Sequence, residues 1–244
     1  MFVVLLDSPT LNSGLLKVRG FCRFCDLSNT NLSELDLSGA DLYYSSLNGS
    51  DVSGVNFSKA ILDGVDLSGV RLNGTNLRQA SLSRTNLQNR DFSNWDLSGI
   101  NFSGADLTAA QLNGADLTGA LLWGANLSQT DLRDRNFSHR DLRWINLTDA
   151  DIRNANLRGA DLSEAYLMGA NLQGADMREV DLRCTNLKEA NLTDANLEGA
   201  RHITKAIFDN TTMPNGTTNN SNYNNSRKIH EYCEVWVSSN TTIN

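Results

Sequence analysis

Cys22-Arg23-Phe24-Cys25 is the first place where this chain's residues could do chemistry. The C-x-x-C spacing serves dithiol redox motifs and half of a zinc site. A zinc site needs a second ligand pair, and a redox pair sits at a helix start. Neither context surrounds this motif, so both cysteines are expected to point into a core as small hydrophobes. Cys184 and Cys233 show no pairing pattern. His139, His202 and His230 are scattered, and none stands beside a nucleophile or a ligand cluster. No phosphate-binding glycine loop or nucleophile elbow occurs. The many regularly spaced Asp residues raise paired carboxylates for acid-base work, or calcium sites. However, Asp and Asn exchange freely at those positions, which a turn tolerates and carboxylate chemistry does not. No catalytic residue, cofactor or metal is therefore expected. N-x-S/T triplets such as Asn136-Phe137-Ser138 arise from the same regular text.

The regularity is a period of five. From Leu27 to Leu197, 35 positions in steps of five are all apolar, with no insertion. We call this residue the centre. Two residues earlier stands a small residue, Ala at 16 of the 35, and one residue earlier stands Asp at 15 and Asn at 13, here called the rung. Neither a helix nor a strand repeats every five residues, so the chain must turn once per unit. On an extended segment the small residue and the centre point to one side and the rung to the other. The remaining two residues make the corner. All 15 glycines of the stretch, Gly199 included, fall two residues after a centre, where a tight turn would need positive φ. Asp and Asn suit the rung because their short side chains hydrogen-bond nearby backbone and stabilise turns. Such a chain winds into a coil whose turns bond to one another.

These units, as in Ala115-Asp116-Leu117-Thr118-Gly119, resemble the pentapeptide-repeat proteins over roughly residues 22–208. The resemblance implies an all-β fold, a right-handed parallel β-helix of quadrilateral section with four pentapeptides per coil. Thirty-five units would make about nine coils, a rod roughly 40 Å long at the strand spacing of about 4.8 Å. Leucine-rich repeats space their leucines unevenly and do not fit.

Residues 1–24 break the pattern and are expected to cap the first coil, with the repeats over 25–208. An Asn/Thr/Ser-rich linker would follow over 209–226, and residues 227–244 regain apolar content as a tail or docking segment. No apolar run is long enough for a membrane span, and Phe2–Leu6 lacks the basic stretch of a secretory leader, so a cytoplasmic setting is the default. A net charge of -7 argues against direct nucleic-acid binding.

A non-catalytic scaffold for protein partners, or a homodimer, is the expected function. The alternative comes from the resemblance: some pentapeptide-repeat proteins mimic duplex DNA, bind the type II topoisomerase gyrase and protect bacteria from quinolones. Here the corner positions carry 9 acids against 10 bases, a balance that would cancel the field a DNA mimic needs. Six bulky residues replace small ones in two triplets 45 residues apart, Arg90, Trp95, Ile100 and Arg135, Arg140, Ile145. Because a buried unpaired Arg is costly, the three arginines are expected to swing outward and their corners to bulge. Register places centres 42, 62, 82 and onward on one face. That face departs most from the pattern, with Tyr43, Tyr44, Ile61, Leu121, Trp123 and Trp144 at outward positions, and is the expected partner interface.

Overall fold

The computed structural model of the protein describes residues 22–67 and 69–219. Each pentapeptide ends in a four-residue turn in which the centre carbonyl accepts the N–H of the next small residue, as from Ala60 to Phe57 at 2.9 Å. The third turn residue holds positive φ, the type II pattern, whether it is Gly119 (75°), Glu164 (61°) or Trp144 (64°). Asp and Asn play one part here: Oδ1 accepts the N–H of the first corner residue, at 3.1 Å from Ser58 to Asn56 and 2.9 Å from Ser163 to Asp161. That shared bond explains their free exchange.

Coils are joined by parallel bridges between rungs 20 residues apart, from Asp26–Ser46 to Asp181–Arg201. Four pentapeptides therefore make one coil of a parallel β-helix. Ser46 N–H donates to the Cys25 carbonyl and Leu27 N–H to the Ser46 carbonyl, both at 2.9 Å, so backbone polar groups are spent between coils. Centres such as Phe57, Leu62 and Leu162 and small residues such as Ala60 and Ala160 are fully buried in one continuous core.

The bridges have two gaps among the described residues. Rungs Asp66, Arg71 and Asn76 are not bridged to Asn86, Asp91 and Asp96, nor are Gln111, Asp116 and Leu121 to Asp131, Asn136 and Asp141. The gaps lie 45 residues apart, as the triplets do. Along most of the ladder a rung N–H donates to the small-residue carbonyl one coil before, but at Val70, Ala115 and Ala120 that carbonyl accepts from Arg90 (2.7 Å), Arg135 (2.5 Å) and Arg140 (3.2 Å). Arg90 and Arg135 also donate to the centre carbonyls of Leu67 and Leu112. The expected swing into solvent does not occur. Each arginine stays half-buried against the preceding coil, where carbonyls satisfy its charge, and the ladder opens to admit it.

The ends differ from the expected boundaries. Cys22 and Phe24 N–H already bond to Asp41 and Tyr43 carbonyls, so the ladder starts before residue 25. After Arg201 a single 3-10 turn, Ile203–Lys205, adds one residue, and Asn186 and Asn191 bridge Ile207 and Thr212 at a 21-residue step. Residues 209–219, expected to begin a flexible linker, instead close the last coil: Thr211–Thr212 pairs antiparallel with Thr218–Asn219, and the buried Thr211 hydroxyl donates to Leu187 O at 2.7 Å. Threonine hydroxyls can satisfy a terminal carbonyl that composition alone marks only as polar. The rest of the expected cap and linker, and the whole tail, lie outside the described residues.

Candidate protein-docking face

The face built on rungs 41, 61, 81, 101, 121, 141, 161 and 181 carries every residue expected at the interface, because the register holds at 20 residues along it. Leu121 (55% exposed), Trp123 (45%) and Tyr44 (46%) face solvent, whereas Tyr43, Ile61 and Trp144 are half-buried. Ile61 and Leu121 replace rung Asp or Asn without disturbing their own backbone bonds, at 2.8 Å to Ala40 and Ile100 carbonyls. The second ladder gap crosses this face between Leu121 and Asp141, so Leu121 and Trp123 stand on one lip and Trp144 on the other.

Phe24 was missed. It is 70% exposed, one coil before Tyr44, and their rings stack with centroids 6.0 Å apart. Its step of 20 from Tyr44 was the available signal, hidden by assigning residues 1–24 to a cap. Tyr43 meets both rings edge-on, and Arg23 lies over the Tyr43 ring at 5.6 Å while binding Asp41 at 2.7 Å. The Tyr44 ring covers Gly64, where an added Cβ would come within 2.7 Å of it. Tyr166 and Met168 are exposed on the adjoining face.

The chemical candidates resolve differently. Cys22 and Cys25 are half-buried against the core as expected, but as a disulfide rather than as thiols. They are the first and last residues of one turn, and that geometry brings their Cα atoms to 5.4 Å, within disulfide range. The extra residue after Arg201 swings His202 onto Asp181, Nδ1 to Oδ1 at 2.8 Å, a pair that a strict 20-residue register does not foresee. The other ring nitrogen faces Arg183 at 3.4 Å, where no nucleophile stands. Among the described residues no cluster of three or more His, Cys, Asp or Glu could hold a metal ion. No helix among them is long and apolar enough to cross a membrane.

Corner arginines bind their own rungs. Arg133 grips Asp131 through Nε (2.8 Å) and Nη2 (2.6 Å), and Arg143, Arg153 and Arg178 repeat this on Asp141, Asp151 and Asp176. These hydrogen bonds, partly offset by burial, hold the four carboxyls below the usual carboxylate range. Four carboxylates of the acidic ladder are thus neutralised by their own corner arginines.

The family model for pentapeptide repeats matches in 8 copies over residues 22–58 and, in overlapping stretches, 60–201. The chain belongs to the pentapeptide repeat family. Among solved structures it is similar to HetL, a pentapeptide repeat protein involved in heterocyst differentiation regulation from the cyanobacterium Nostoc sp. strain PCC 7120. The identity is 32%, covering 81% of this chain and 92% of HetL, with a TM-score of 0.41. It is also similar to full-length QnrB1, a plasmid-mediated fluoroquinolone resistance protein (18% identity, 87% and 99% covered, TM-score 0.41). Rfr23 from the cyanobacterium Cyanothece 51142 is a third neighbour (24%, 55% and 90%, TM-score 0.23). No match was found among curated proteins.

Proposed function

We propose that this pentapeptide repeat chain is a non-catalytic scaffold that holds a protein partner, a second copy or another protein, on the face bearing Tyr43, Tyr44, Ile61, Leu121, Trp123 and Trp144. The observation that carries the reading is clustering. Of the six exposed large hydrophobic residues described, Phe24, Tyr44, Leu121 and Trp123 share this one face. Aromatic side chains dominate interface energies, and a stripe of them interrupting a polar ladder is what a docking surface presents. The rigid ladder beneath holds them in place at low entropic cost. A regulatory role such as HetL's suits a rod of this kind, and the family's proteins are generally non-catalytic.

The test is Trp123→Ser with Trp144→Ser in the full chain, compared with wild type by sedimentation and by capture of binding proteins. Loss of self-association or of a captured partner, with an unchanged circular dichroism spectrum, supports the reading. An unchanged result in both assays refutes it. The DNA-mimic alternative finds no favour in the paired arginines, and a gyrase supercoiling assay at micromolar protein is expected to show no effect. The paired cysteines fit an oxidising compartment better than the cytoplasm expected from the sequence.

A further inference from the structure

Asn-Gly steps occur at Asn48, Asn73, Asn113 and Asn215. Such a step can cyclise, because the glycine nitrogen has no Cβ beside it to hinder attack on the asparagine side-chain amide. What each glycine N–H binds separates the four. On the face of rungs 51, 71, 111 and 171, the third turn residue of a closed coil donates its N–H to the coil after it. Gly54 does so to the Asn73 carbonyl and Gly174 to the Thr193 carbonyl, both at 2.9 Å. Gly74 and Gly114 make no such bond among the described residues, because rungs Arg71 and Gln111 stand where the ladder is open. By contrast, Gly216 donates to Met213 O at 2.9 Å, and the Asn29 side chain lies against Gly49. Asn73, Asn113 and their glycines are exposed. At Asn113 an arginine also brackets the step: Arg135 donates to the carbonyls of Leu112 and Ala115, the residues immediately before Asn113 and after Gly114.

We propose that Asn113 is a site of spontaneous deamidation, a covalent modification for which the open ladder and Arg135 prepare the backbone, and that Asn73 is a slower second site. The Gly114 nitrogen bonds to Asn113 Cγ, the Cγ–Nδ2 bond breaks, and Nδ2 leaves as ammonia with the proton that Gly114 gives up. A succinimide ring results. Water then opens either ring carbonyl, giving aspartate or isoaspartate, so one water enters for each ammonia lost. Attack requires the corner peptide to rotate out of its turn, and at Gly114 no bond between coils has to break first. The Arg135 charge favours the deprotonated nitrogen and the oxyanion that forms at Cγ. The product changes the rod. The Asn113 main-chain carbonyl accepts the Asn94 N–H at 2.8 Å. Isoaspartate routes the main chain through Cγ and turns that carbonyl into a free carboxylate, so the opening spreads to the coil below and the corner gains a negative charge. The inference does not rest on the partner reading, because it concerns a different face.

The test is ageing of the full chain at mildly alkaline pH, followed by peptide mapping that reads conversion of amide to acid at each asparagine. Gln173→Asn supplies the comparison, since it puts an Asn-Gly step at the equivalent corner of the same face, where the Gly174 N–H is bonded. Asn113 should convert about tenfold faster than this introduced step, with Asn73 between them. Arg135→Ala should slow Asn113 by about tenfold while leaving Asn73 unchanged, and the Asn94 amide should exchange faster in the fraction carrying isoaspartate. Equal rates at Asn113 and the introduced step overturn the proposal. So does an Asn113 rate that Arg135→Ala leaves untouched. If that variant loosens the whole fold, Asn73 and Asn113 accelerate together, and the Gln173→Asn comparison still decides.

Discussion

From Asn126 to Asn191 each rung is bridged to the coil after it, whereas the stretches entered by Arg90 and by Arg135 and Arg140 leave three consecutive rungs unbridged. Both regions share the same centres, turns and rung chemistry, so none of these sets the spacing between coils. The small position does. Ala150, Ala155, Ala160, Ala165, Ala170 and Ala175 let successive coils close to hydrogen-bonding distance. At Arg90, Arg135 and Arg140 a guanidinium lies between coils and takes the carbonyl that a rung N–H would use. Trp95, at the next small position, lies edge-on to Phe92 with centroids 5.4 Å apart. Ile100 and Ile145 are buried without breaking the ladder, since Asn101 and Asn146 keep 2.9 Å bonds to Ala80 and Ala125. A branched aliphatic side chain fits into the core, but a long cationic one must end on carbonyls.

The sharpest way to break this comparison is to damage the closed region's core. Leu162→Ala should cost about 2–5 kcal/mol in urea unfolding, because the side chain is fully buried and the coils around it are bonded too tightly to collapse inward. A cost near zero would mean that the ladder rather than the core carries stability. Next, Ala155→Arg should import the gap into the closed region and destabilise by about 1–3 kcal/mol, the usual cost of overpacking. The Asn156 and Asn136 amides should then exchange at similar rates. Conversely, Arg135→Ala with Arg140→Ala should let the second gap close. The Asn136 and Asp141 amides would then slow by about tenfold in hydrogen exchange, and unchanged rates would remove the arginines as the cause.

The smallest effect concerns acid. Asp131, Asp141, Asp151 and Asp176 have carboxyls held below their ordinary range in the folded chain, chiefly by arginine hydrogen bonds. A depressed folded pKa gives stability that is present above the unfolded value and lost as pH falls through the folded one. The melting temperature should therefore hold between about pH 7 and 5 and fall below about pH 4, the unfolded Asp range. Asp131→Asn should keep the turn bond and cost less than about 1 kcal/mol, since the pair is partly exposed. It should also flatten the acid limb. An unaltered limb would show that the clamps contribute nothing.

Legibility followed the distance over which each feature is decided. The centres, the Asp/Asn turns and the positive φ were readable because each is settled within one turn of five residues, and the text repeats them, whereas the four-unit coil came from the family resemblance alone. The membership of the face proposed for docking was readable as far as an uninterrupted register carried it. Phe24 fell outside only because the repeat was begun three residues late. The Cys22–Cys25 bond, the His202–Asp181 pair and the Thr211–Asn219 hairpin were not readable, since each sits where the period begins or slips.

The sequence by itself determined that the chain coils and which side chains point in or out, because those follow from local sterics and burial repeated along the chain. Tertiary structure alone decided how coils meet. Whether an arginine finds a carbonyl and whether a rung is bridged depend on what stands 20 residues away in the next coil. No five-residue pattern encodes those neighbours.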